Sequence, residues 1–206
     1  MRALVLVDLQ YDFMPGGALA VARGDEVVPV AQALLPRFDT VIATQDWHPR
    51  DHSSFAVKHP GKQVGDMIEL EGLPQVLWPA HCVQGTRGAE LHEMLDKKRI
   101  TAVFRKGIDP TIDSYSGFFD NGRKKATGLG DWIRDRKIRK LFVMGLATDF
   151  CVKFTVIDAR QLGLEVVLVE DGCRGVNLVD GDHARAIAAM RDAGASVVHS
   201  DTIAAR

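Results

Sequence analysis

The amino-acid sequence predicts an α/β fold, a three-layer α/β/α sandwich around a mainly parallel sheet of six strands, which is a Rossmann-like architecture. Short apolar runs rich in β-branched residues alternate along the chain with longer segments of helical period. The runs lack the polar alternation of a half-solvated sheet, which is typical of parallel strands buried on both faces. Because crossovers between parallel strands are right-handed, we expect helices to cover both faces.

The elements follow from these runs in chain order. The six strands are expected at residues 2–7, 40–44, 101–104, 141–146, 165–169 and 196–198. The four clearest helices are expected at residues 26–37, 130–135, 151–162 and 182–193. Gly163 and Gly194 stand where glycine commonly ends a helix. The active site of such a sheet lies outside the carboxyl ends of its strands.

The segment from residue 47 to residue 98 interrupts this alternation, with several prolines and glycines and little periodicity. Long loops of this kind are usually functional. The chain has 206 residues, of which 46% are apolar, so it can bury one substantial core. We therefore expect a single domain over residues 1–206.

Charge and composition exclude several classes of partner. The formal net charge is −1, so no broad basic field exists to hold nucleic acid or an anionic membrane. No run of about twenty apolar residues occurs that would suggest a membrane span. Three cysteines, an odd number, favour reduced thiols in a reducing compartment. We expect a cytoplasmic protein with no nucleic-acid or membrane partner; a homo-oligomer is left open.

Cys151 is the candidate nucleophile because of its place in the chain. It follows the segment MGLATDF, after a strand and at the start of a predicted helix. A helix N-terminus lowers the pKa of a thiol and offers free backbone N–H groups, which suits both a nucleophile and an oxyanion hole. A buried, inert cysteine is the commoner fate of this residue type and is the interpretation given to Cys82 and Cys173.

Charged residues follow two other predicted strands. Asp8 ends the first strand, where its carboxylate either caps the next turn or faces the cleft, and Asp12 is open to the same capping role. Lys106 follows the third strand, where its ammonium is either solvated or turned into the cleft. A lysine near a thiol and a carboxylate favours the thiolate and keeps the carboxylate ionised. Asp8, Lys106 and Cys151 are therefore a candidate base, orienting cation and nucleophile.

Aspartate and histidine residues, which commonly bind metal ions, follow the second strand. Asp46 and His48 are separated by one residue, so in an extended chain both side chains point the same way. His52 adds a nearby imidazole, and His81 lies across the long loop. Three or four nitrogen and oxygen donors of this kind are able to converge on one metal ion. The alternative is a set of surface histidines on a polar loop; clustering after a strand end favours the metal.

Aromatic residues cluster in sequence around these positions. They are Phe13, Trp47, Trp78, Tyr115 and Phe119. Each one taken alone is more often part of a core than a substrate wall. Together they are able to sandwich a flat aromatic ring, because stacking needs only exposed ring faces on the two sides of a cleft.

Five segments carry a family resemblance: VDLQYDF, QDWHP with DHSSFA, WPAHCVQGT, FRKGIDPTIDSYSGFFDN and GLATDFCVKFTVIDA. In this order, and over nearly the whole chain, the sequence resembles the nicotinamidase branch of the isochorismatase-like cysteine hydrolases. The resemblance implies the isochorismatase-like form of the sandwich. It also implies hydrolysis of nicotinamide to nicotinate and ammonia through a cysteine thioester in NAD salvage, with pyrazinamide as a further substrate.

The resemblance implies roles for the residues that match the family's motifs. Asp8, Lys106 and Cys151 would form the catalytic triad. The backbone N–H groups of Ala147 and Cys151 would form the oxyanion hole, next to a cis peptide bond between Leu146 and Ala147.

A metal centre and a substrate pocket are implied in the same way. One divalent ion, zinc, iron or manganese, would be held by Asp46, His48 and His81 and would bind the pyridine nitrogen of the substrate. His52 matches a position that is a ligand in some members only. The substrate-binding residues would be Phe13, Trp78 and Tyr115.

Four alternatives stay open at this stage. The first is an amidase for another small amide, such as a carbamoyl or ureido compound, or an isochorismatase-type hydrolase, against which the metal residues argue. The second is a metallohydrolase in which a metal-bound hydroxide attacks and Cys151 is structural. A nucleotide-binding module is the third, but DLQYDFMPGG after the first strand is not a GxGxxG phosphate loop. The last is a silent binding protein, which an intact triad disfavours.

Overall fold

The computed structural model describes residues 1–204. The strands in chain order are β1 (Arg2–Val7), β2 (Val41–Asp46), β3 (Met67–Leu70), β4 (Leu73–Val76), β5 (Ala102–Lys106), β6 (Lys140–Leu146), β7 (Glu165–Arg174) and β8 (Ser196–Val198). Six of them form one sheet in the spatial order β5-β2-β1-β6-β7-β8, and all pairings within it are parallel. The predicted fold class is confirmed.

Helices flank this sheet. They are α1 (Val27–Leu34), α2 (Leu129–Asp135), α3 (Lys153–Gln161) and α4 (Asp182–Asp192). The middle strands β1 and β6 are buried along nearly their whole length, which explains their continuous apolar sequence. Within residues 1–204, no helix has the length and apolarity needed to cross a membrane.

Three strands extend further at their carboxyl ends than the sequence predicts. The strand expected at 165–169 continues to Arg174, and the other two end at the site. The strand expected at 40–44 continues to Asp46, and the one expected at 101–104 continues to Lys106. Asp46 and Lys106 are register partners on neighbouring strands, and their side chains form an ion pair, so the ladder continues through two charged residues. Both side chains therefore stand at the carboxyl edge of the sheet.

The helix predicted from residue 151 begins differently. Thr148–Val152 forms a π-helical turn, and α3 starts only at Lys153. The prediction that a regular helix starts at Cys151 is wrong, because the N–H of Val152 bonds five residues back to the carbonyl of Ala147 at 3.1 Å. The helix expected at 26–37 likewise ends at Leu34 and is followed by a short 3₁₀ turn.

The long segment after β2 contains a hairpin that the sequence analysis does not predict. Strands β3 and β4 pair in antiparallel fashion around Glu71 and Gly72, whose φ angles are 52° and 77°. Two consecutive positive φ angles are typical of the tight turns that close hairpins. Glutamate is an uncommon residue in that position, so the turn signal in the sequence is weak.

Candidate active site

Four charged or nucleophilic groups meet at the carboxyl edge of the sheet. The ammonium of Lys106 lies 2.8 Å from Asp8 Oδ2, 2.7 Å from Asp46 Oδ1 and 3.3 Å from the sulfur of Cys151. It also donates to the carbonyl of Ser114 at 3.0 Å. All the members of the trio predicted from the sequence are therefore in one cluster, with Asp46 joined to it through Lys106.

Asp8 is held in place by the neighbouring strand. It follows β1 with a φ of 51°, a left-handed conformation that aspartate adopts more readily than most residues. The hydroxyl of Thr44 on β2 donates to Asp8 Oδ1 at 2.6 Å, and the backbone N–H of Asp8 donates to the same hydroxyl oxygen at 3.2 Å. The carboxylate is therefore fixed toward Lys106 and Cys151.

Burial and neighbouring charges shift the pKa values of the groups in this cluster in different directions. Burial alone would lower the pKa of Lys106, but Asp46 and Asp8 outweigh it, so the pKa lies well above its usual value. Burial would raise the pKa of Asp46, but the Lys106 ammonium prevails and holds that pKa well below the usual range. For Asp8 burial prevails over Lys106, and the pKa is raised. Asp8 therefore retains a proton more readily than Asp46.

The thiol of Cys151 differs from the expectation based on a helix N-terminus. Its pKa is raised well above the ordinary value because the sulfur is buried, and Lys106 offsets this only in part. The resting group is therefore a thiol that needs a base to remove its proton. Asp8 is the base within reach of such a transfer, since its carboxylate is hydrogen-bonded to the thiol and both groups contact Lys106.

The chain reaches Cys151 through a sharp turn at the end of β6. The peptide bond between Leu146 and Ala147 is cis, as the resemblance implies. The carbonyl of Ala147 accepts hydrogen bonds from the N–H groups of Phe150 and Val152, both at 3.1 Å. Ala147 and Cys151, the two residues expected to form the oxyanion hole, both line the same cleft.

A cluster of metal-ligand type adjoins the trio. Asp46 Oδ2 lies 3.3 Å from His48 Nε2 and 3.6 Å from His81 Nε2. The Nδ1 atoms of the two imidazoles lie 2.9 Å and 2.8 Å from the carbonyl oxygens of Gly107 and Pro79. A carbonyl only accepts, so both Nδ1 atoms carry the hydrogen and both Nε2 atoms face Asp46.

The residues present fit a divalent cation. Asp46, His48 and His81 are all buried, and one ligand atom of each lies within 4.8 Å of the others. The Nε2 of His48 makes no hydrogen bond within residues 1–204, which suits a lone pair reserved for an ion. One carboxylate with two imidazoles leaves further coordination positions open, as in sites that also bind water or substrate.

His52 is buried against His48, with ring centroids 4.3 Å apart, but its imidazole has the opposite orientation. Its Nδ1 accepts the backbone N–H of Ser54 at 3.2 Å, so a neutral ring carries its hydrogen on Nε2. Burial lowers the pKa of His52 to about 4, which keeps the ring neutral near pH 7. The Nε2 of His52, like that of His48, makes no hydrogen bond within residues 1–204. His48, His52 and Asp113 form a second group whose ligand atoms lie within 4.8 Å of one another, so His52 stays a candidate ligand beside the set of Asp46, His48 and His81.

Gly107 provides the first testable prediction. Its φ is +63°, and an added Cβ would lie 2.4 Å from Cε1 of His48. We expect Gly107→Ala to displace this imidazole and weaken Zn²⁺ binding about tenfold or more, as loss of ligand support commonly does. Gly61→Ala is the matched control, because Gly61 has a φ of +79° and no atom within 4 Å of the added Cβ. Calorimetric titration with equal affinities for the two variants would contradict the prediction.

The cleft in front of Cys151 has aromatic walls. Phe13, Trp78 and Tyr115, the three predicted substrate-binding residues, all line it. The hydroxyl oxygen of Tyr115 accepts hydrogen bonds from Trp78 Nε1 at 3.1 Å and from Gln75 Nε2 at 3.0 Å, which joins two of the walls. The ring of Phe13 meets the imidazole of His81 edge to face at 5.6 Å.

Two of the aromatic residues singled out from the sequence lie elsewhere. Trp47 stacks under the guanidinium of Arg105 at 4.0 Å, and Phe119 under that of Arg123 at 4.5 Å, and neither lines the cleft. The cleft contains four other residues that the sequence analysis does not identify. They are Leu19, Asp113, Phe150 and Val176. Of these, Phe150 had a signal in the sequence, because it directly precedes Cys151.

Asp149 explains how Val176 reaches the cleft. Its two carboxylate oxygens accept the backbone N–H groups of Val176 at 2.9 Å and Asn177 at 2.7 Å. Asp149 stands between Ala147 and Cys151 in the π-helical turn. The turn that carries the thiol is therefore tied directly to one wall of the cleft.

Fold and site together define an α/β protein with a buried thiol, lysine and carboxylate beside a cluster of metal-ligand residues. The isochorismatase domain family matches residues 2–202. The nicotinamidase of Escherichia coli (strain K12) is 56% identical over 200 residues, which cover 95% of this chain and 93% of that protein. The chain therefore belongs to the isochorismatase family.

Solved structures agree with this assignment. A nicotinamidase pyrazinamidase of Acinetobacter baumanii is similar with a TM-score of 0.95 and 42% identity, over 98% of both chains. A pyrazinamidase of Pyrococcus horikoshii in complex with zinc is similar with a TM-score of 0.76 and 33% identity, over 96% of this chain and 98% of that one.

Proposed function

We propose that this chain hydrolyses nicotinamide to nicotinate and ammonia, with pyrazinamide as a second substrate. The observation that carries the proposal is the Cys151 sulfur, 3.3 Å from the Lys106 ammonium, in an aromatic cleft that also contains Asp46 and His81. Similarity to nicotinamidases over almost the whole chain supports the same substrate. Such a site provides a nucleophile, a cation and a place for a flat heteroaromatic ring.

In the proposed reaction Asp8 takes the proton of the Cys151 thiol while Lys106 stabilises the charges. The thiolate sulfur bonds to the carboxamide carbon, and the carbonyl electrons move onto oxygen, where the N–H groups of Ala147 and Cys151 would hold them. The C–N bond then breaks, Asp8 returns the proton to the leaving nitrogen, and ammonia departs. Water, deprotonated by Asp8, cleaves the thioester to nicotinate and restores the thiol.

A divalent ion is part of the proposal. Asp46, His48 and His81 would hold it; a zinc complex of a similar pyrazinamidase supports zinc, and iron and manganese are the other candidates. When bound, the ion would provide a Lewis acid for the pyridine nitrogen and so position the carboxamide for attack. The rings of Phe13, Trp78 and Tyr115 would enclose the substrate ring, with the ion as the group that distinguishes a pyridine from a benzene.

Ammonia release from a matched series of amides tests the substrate. We expect purified, zinc-loaded protein to hydrolyse nicotinamide and pyrazinamide, which both present a ring nitrogen meta to the carboxamide. Benzamide has the same size and no ring nitrogen, so its kcat/KM should be lower by about two orders of magnitude or more, the scale of a lost positioning contact. Turnover of ureido or carbamoyl compounds in place of all three would favour the alternative amidase.

The pH dependence of the reaction should reflect Asp8. The base must be ionised to accept the thiol proton, and burial raises the pKa of Asp8 above its ordinary value of 3.8. We therefore expect kcat/KM to fall tenfold per pH unit below an inflection that lies above the ordinary value of 3.8. Metal content is measured at each pH so that loss of the ion is separated from protonation of the base. An inflection at or below 3.8 with full metal occupancy would contradict this role for Asp8.

The cellular setting belongs to the same proposal. Hydrolysis of nicotinamide would place the protein in NAD salvage. The three free, buried cysteines support a reducing, cytoplasmic compartment. The continuous core, which includes residues from Ala3 to Ile203, supports the single domain that the sequence predicts. The proposed partners are small-molecule amides, without nucleic acid or membrane.

A further inference from the structure

Asp12 has no role in the proposed reaction, yet its carboxylate lies directly behind the candidate metal centre. Its Oδ2 accepts the backbone N–H of Cys82 at 2.6 Å, and its Oδ1 accepts that of Ala18 at 3.3 Å. Cys82 is the residue that follows the candidate ligand His81. The carboxylate of Asp12 therefore holds the chain at the point where it leaves a metal ligand.

The backbone at Cys82 has an unfavourable conformation that such a contact can stabilise. Its φ is 47°, in the left-handed region that residues with a side chain rarely adopt. A hydrogen bond to a carboxylate is charge-assisted and is among the stronger kinds in proteins. On its other side Cys82 accepts the backbone N–H of His48 at 3.0 Å. Cys82 is thus fixed between Asp12 and a second candidate ligand.

The chain around Asp12 leaves room for its carboxylate. An added Cβ on Gly88 would lie 2.1 Å from Asp12 Oδ2, so this glycine leaves the space that the carboxylate occupies. The backbone carbonyl of Asp12 accepts the N–H of Leu19 at 2.9 Å, and Leu19 lines the cleft. Asp12 therefore joins the segment that carries Phe13 and Leu19 to the segment that carries His81.

We propose that Asp12 is a positioning residue for the metal centre, whose carboxylate sets the turn at Cys82 so that the imidazole of His81 faces Asp46. The inference rests on the metal site of the proposed function. Asp12 touches neither the ion nor the substrate; it acts through the backbone next to a ligand, as outer-shell groups do in metal sites.

Zn²⁺ titration of the metal-free protein tests this role. Asp12→Ala should bind Zn²⁺ about tenfold or more weakly than wild type, which is the usual cost of losing an outer-shell partner. Asp12→Asn should recover most of the affinity, because its amide oxygen still accepts the Cys82 N–H. Asp25→Ala, an exposed acid that lines the groove outside Asp12, is the matched control and should bind as wild type does. Wild-type affinity in Asp12→Ala would overturn the proposal.

A double-mutant cycle shows whether Asp12 acts through His81. In a His81→Ala background, Asp12→Ala should cause little further loss of Zn²⁺ affinity, because the ligand that it positions is gone. Equal losses in both backgrounds would overturn the proposal. Unchanged Zn²⁺ affinity in His81→Ala alone would instead contradict the metal site of the proposed function. Failure of the positioning role and failure of the metal site are therefore distinguishable.

Gly88→Ala tests the same contact with Asp12 retained, should Asp12→Ala fold poorly. Its Cβ would displace the carboxylate, and we expect a comparable loss of Zn²⁺ affinity. Gly130→Ala is the control glycine, since its added Cβ would meet no described atom closer than 3.7 Å. Wild-type affinity in a folded Gly88→Ala variant would contradict the positioning role.

Discussion

Replacing Cys151 with alanine should abolish ammonia release from nicotinamide, with kcat lowered by about four orders of magnitude or more, as in other nucleophilic enzymes that lose the nucleophile. Alanine keeps the backbone of the π-helical turn and removes only the sulfur, which lies 3.3 Å from the Lys106 ammonium. The metal residues are untouched, so Zn²⁺ binding should persist. The measurement is single-turnover and steady-state ammonia release at equal metal loading.

Cys173→Ala is the matched control for this variant. Cys173 is also a free, buried cysteine, but its sulfur contacts the carbonyl of Val169 at 3.3 Å within β7, and burial raises its pKa to about 12. Its removal should leave kcat within about twofold of wild type, since a remote packing change seldom reaches the chemistry. A Cys151→Ala protein that still turns over nicotinamide would favour the alternative in which metal-bound hydroxide attacks.

The location of the site could be predicted from the sequence because the strands have a strong signature. Buried parallel strands are continuous apolar runs, so Asp8 and Asp46 are visible as the first charged residues after their strands, and Lys106 follows its strand directly after Arg105. The parallel arrangement then brings those ends to one edge of the sheet. Neither step depends on tertiary detail. His81 is visible only as a further imidazole across the long irregular segment, and its place as the third ligand beside Asp46 and His48 is given by the resemblance.

The sequence does not predict features that depend on a single inserted residue or on the opposing effects of burial and charge on a pKa. The π-helical turn at Cys151 differs from a regular helix by one inserted residue, which leaves the apolar period almost unchanged. The predicted direction of the Cys151 thiol pKa is wrong because burial outweighs the effect of Lys106, and burial is a property of the folded chain. Val176 is held at the cleft by a hydrogen bond to Asp149 that spans 27 positions in the sequence.

Replacing Lys106 with methionine should be the most destabilising single change at the site. The Lys106 side chain is fully buried and is the cation that both Asp8 and Asp46 contact, at 2.8 Å and 2.7 Å. Methionine fills a similar volume but leaves two buried carboxylates without this cation, and breaking a buried pair in this way costs about 3–5 kcal/mol. Denaturant unfolding of the metal-free protein measures the loss. Lys125→Met, which breaks the exposed pair with Asp109, should cost about 1 kcal/mol or less.

Metal affinity and activity should respond to Lys106→Met in opposite directions. Lys106 donates to Asp46 Oδ1, whereas Asp46 Oδ2 faces the two imidazoles. The ammonium and a bound metal ion would therefore contact the two oxygens of one carboxylate. Removing the ammonium removes a positive charge beside the ion and should tighten Zn²⁺ binding. Ammonia release should nevertheless be lost, because the Cys151 thiolate no longer has a cation to stabilise it. A Lys106→Met protein that still hydrolyses nicotinamide would contradict the place of Lys106 in the catalytic cluster. One that binds Zn²⁺ more weakly would contradict the view that Lys106 only borders the metal site.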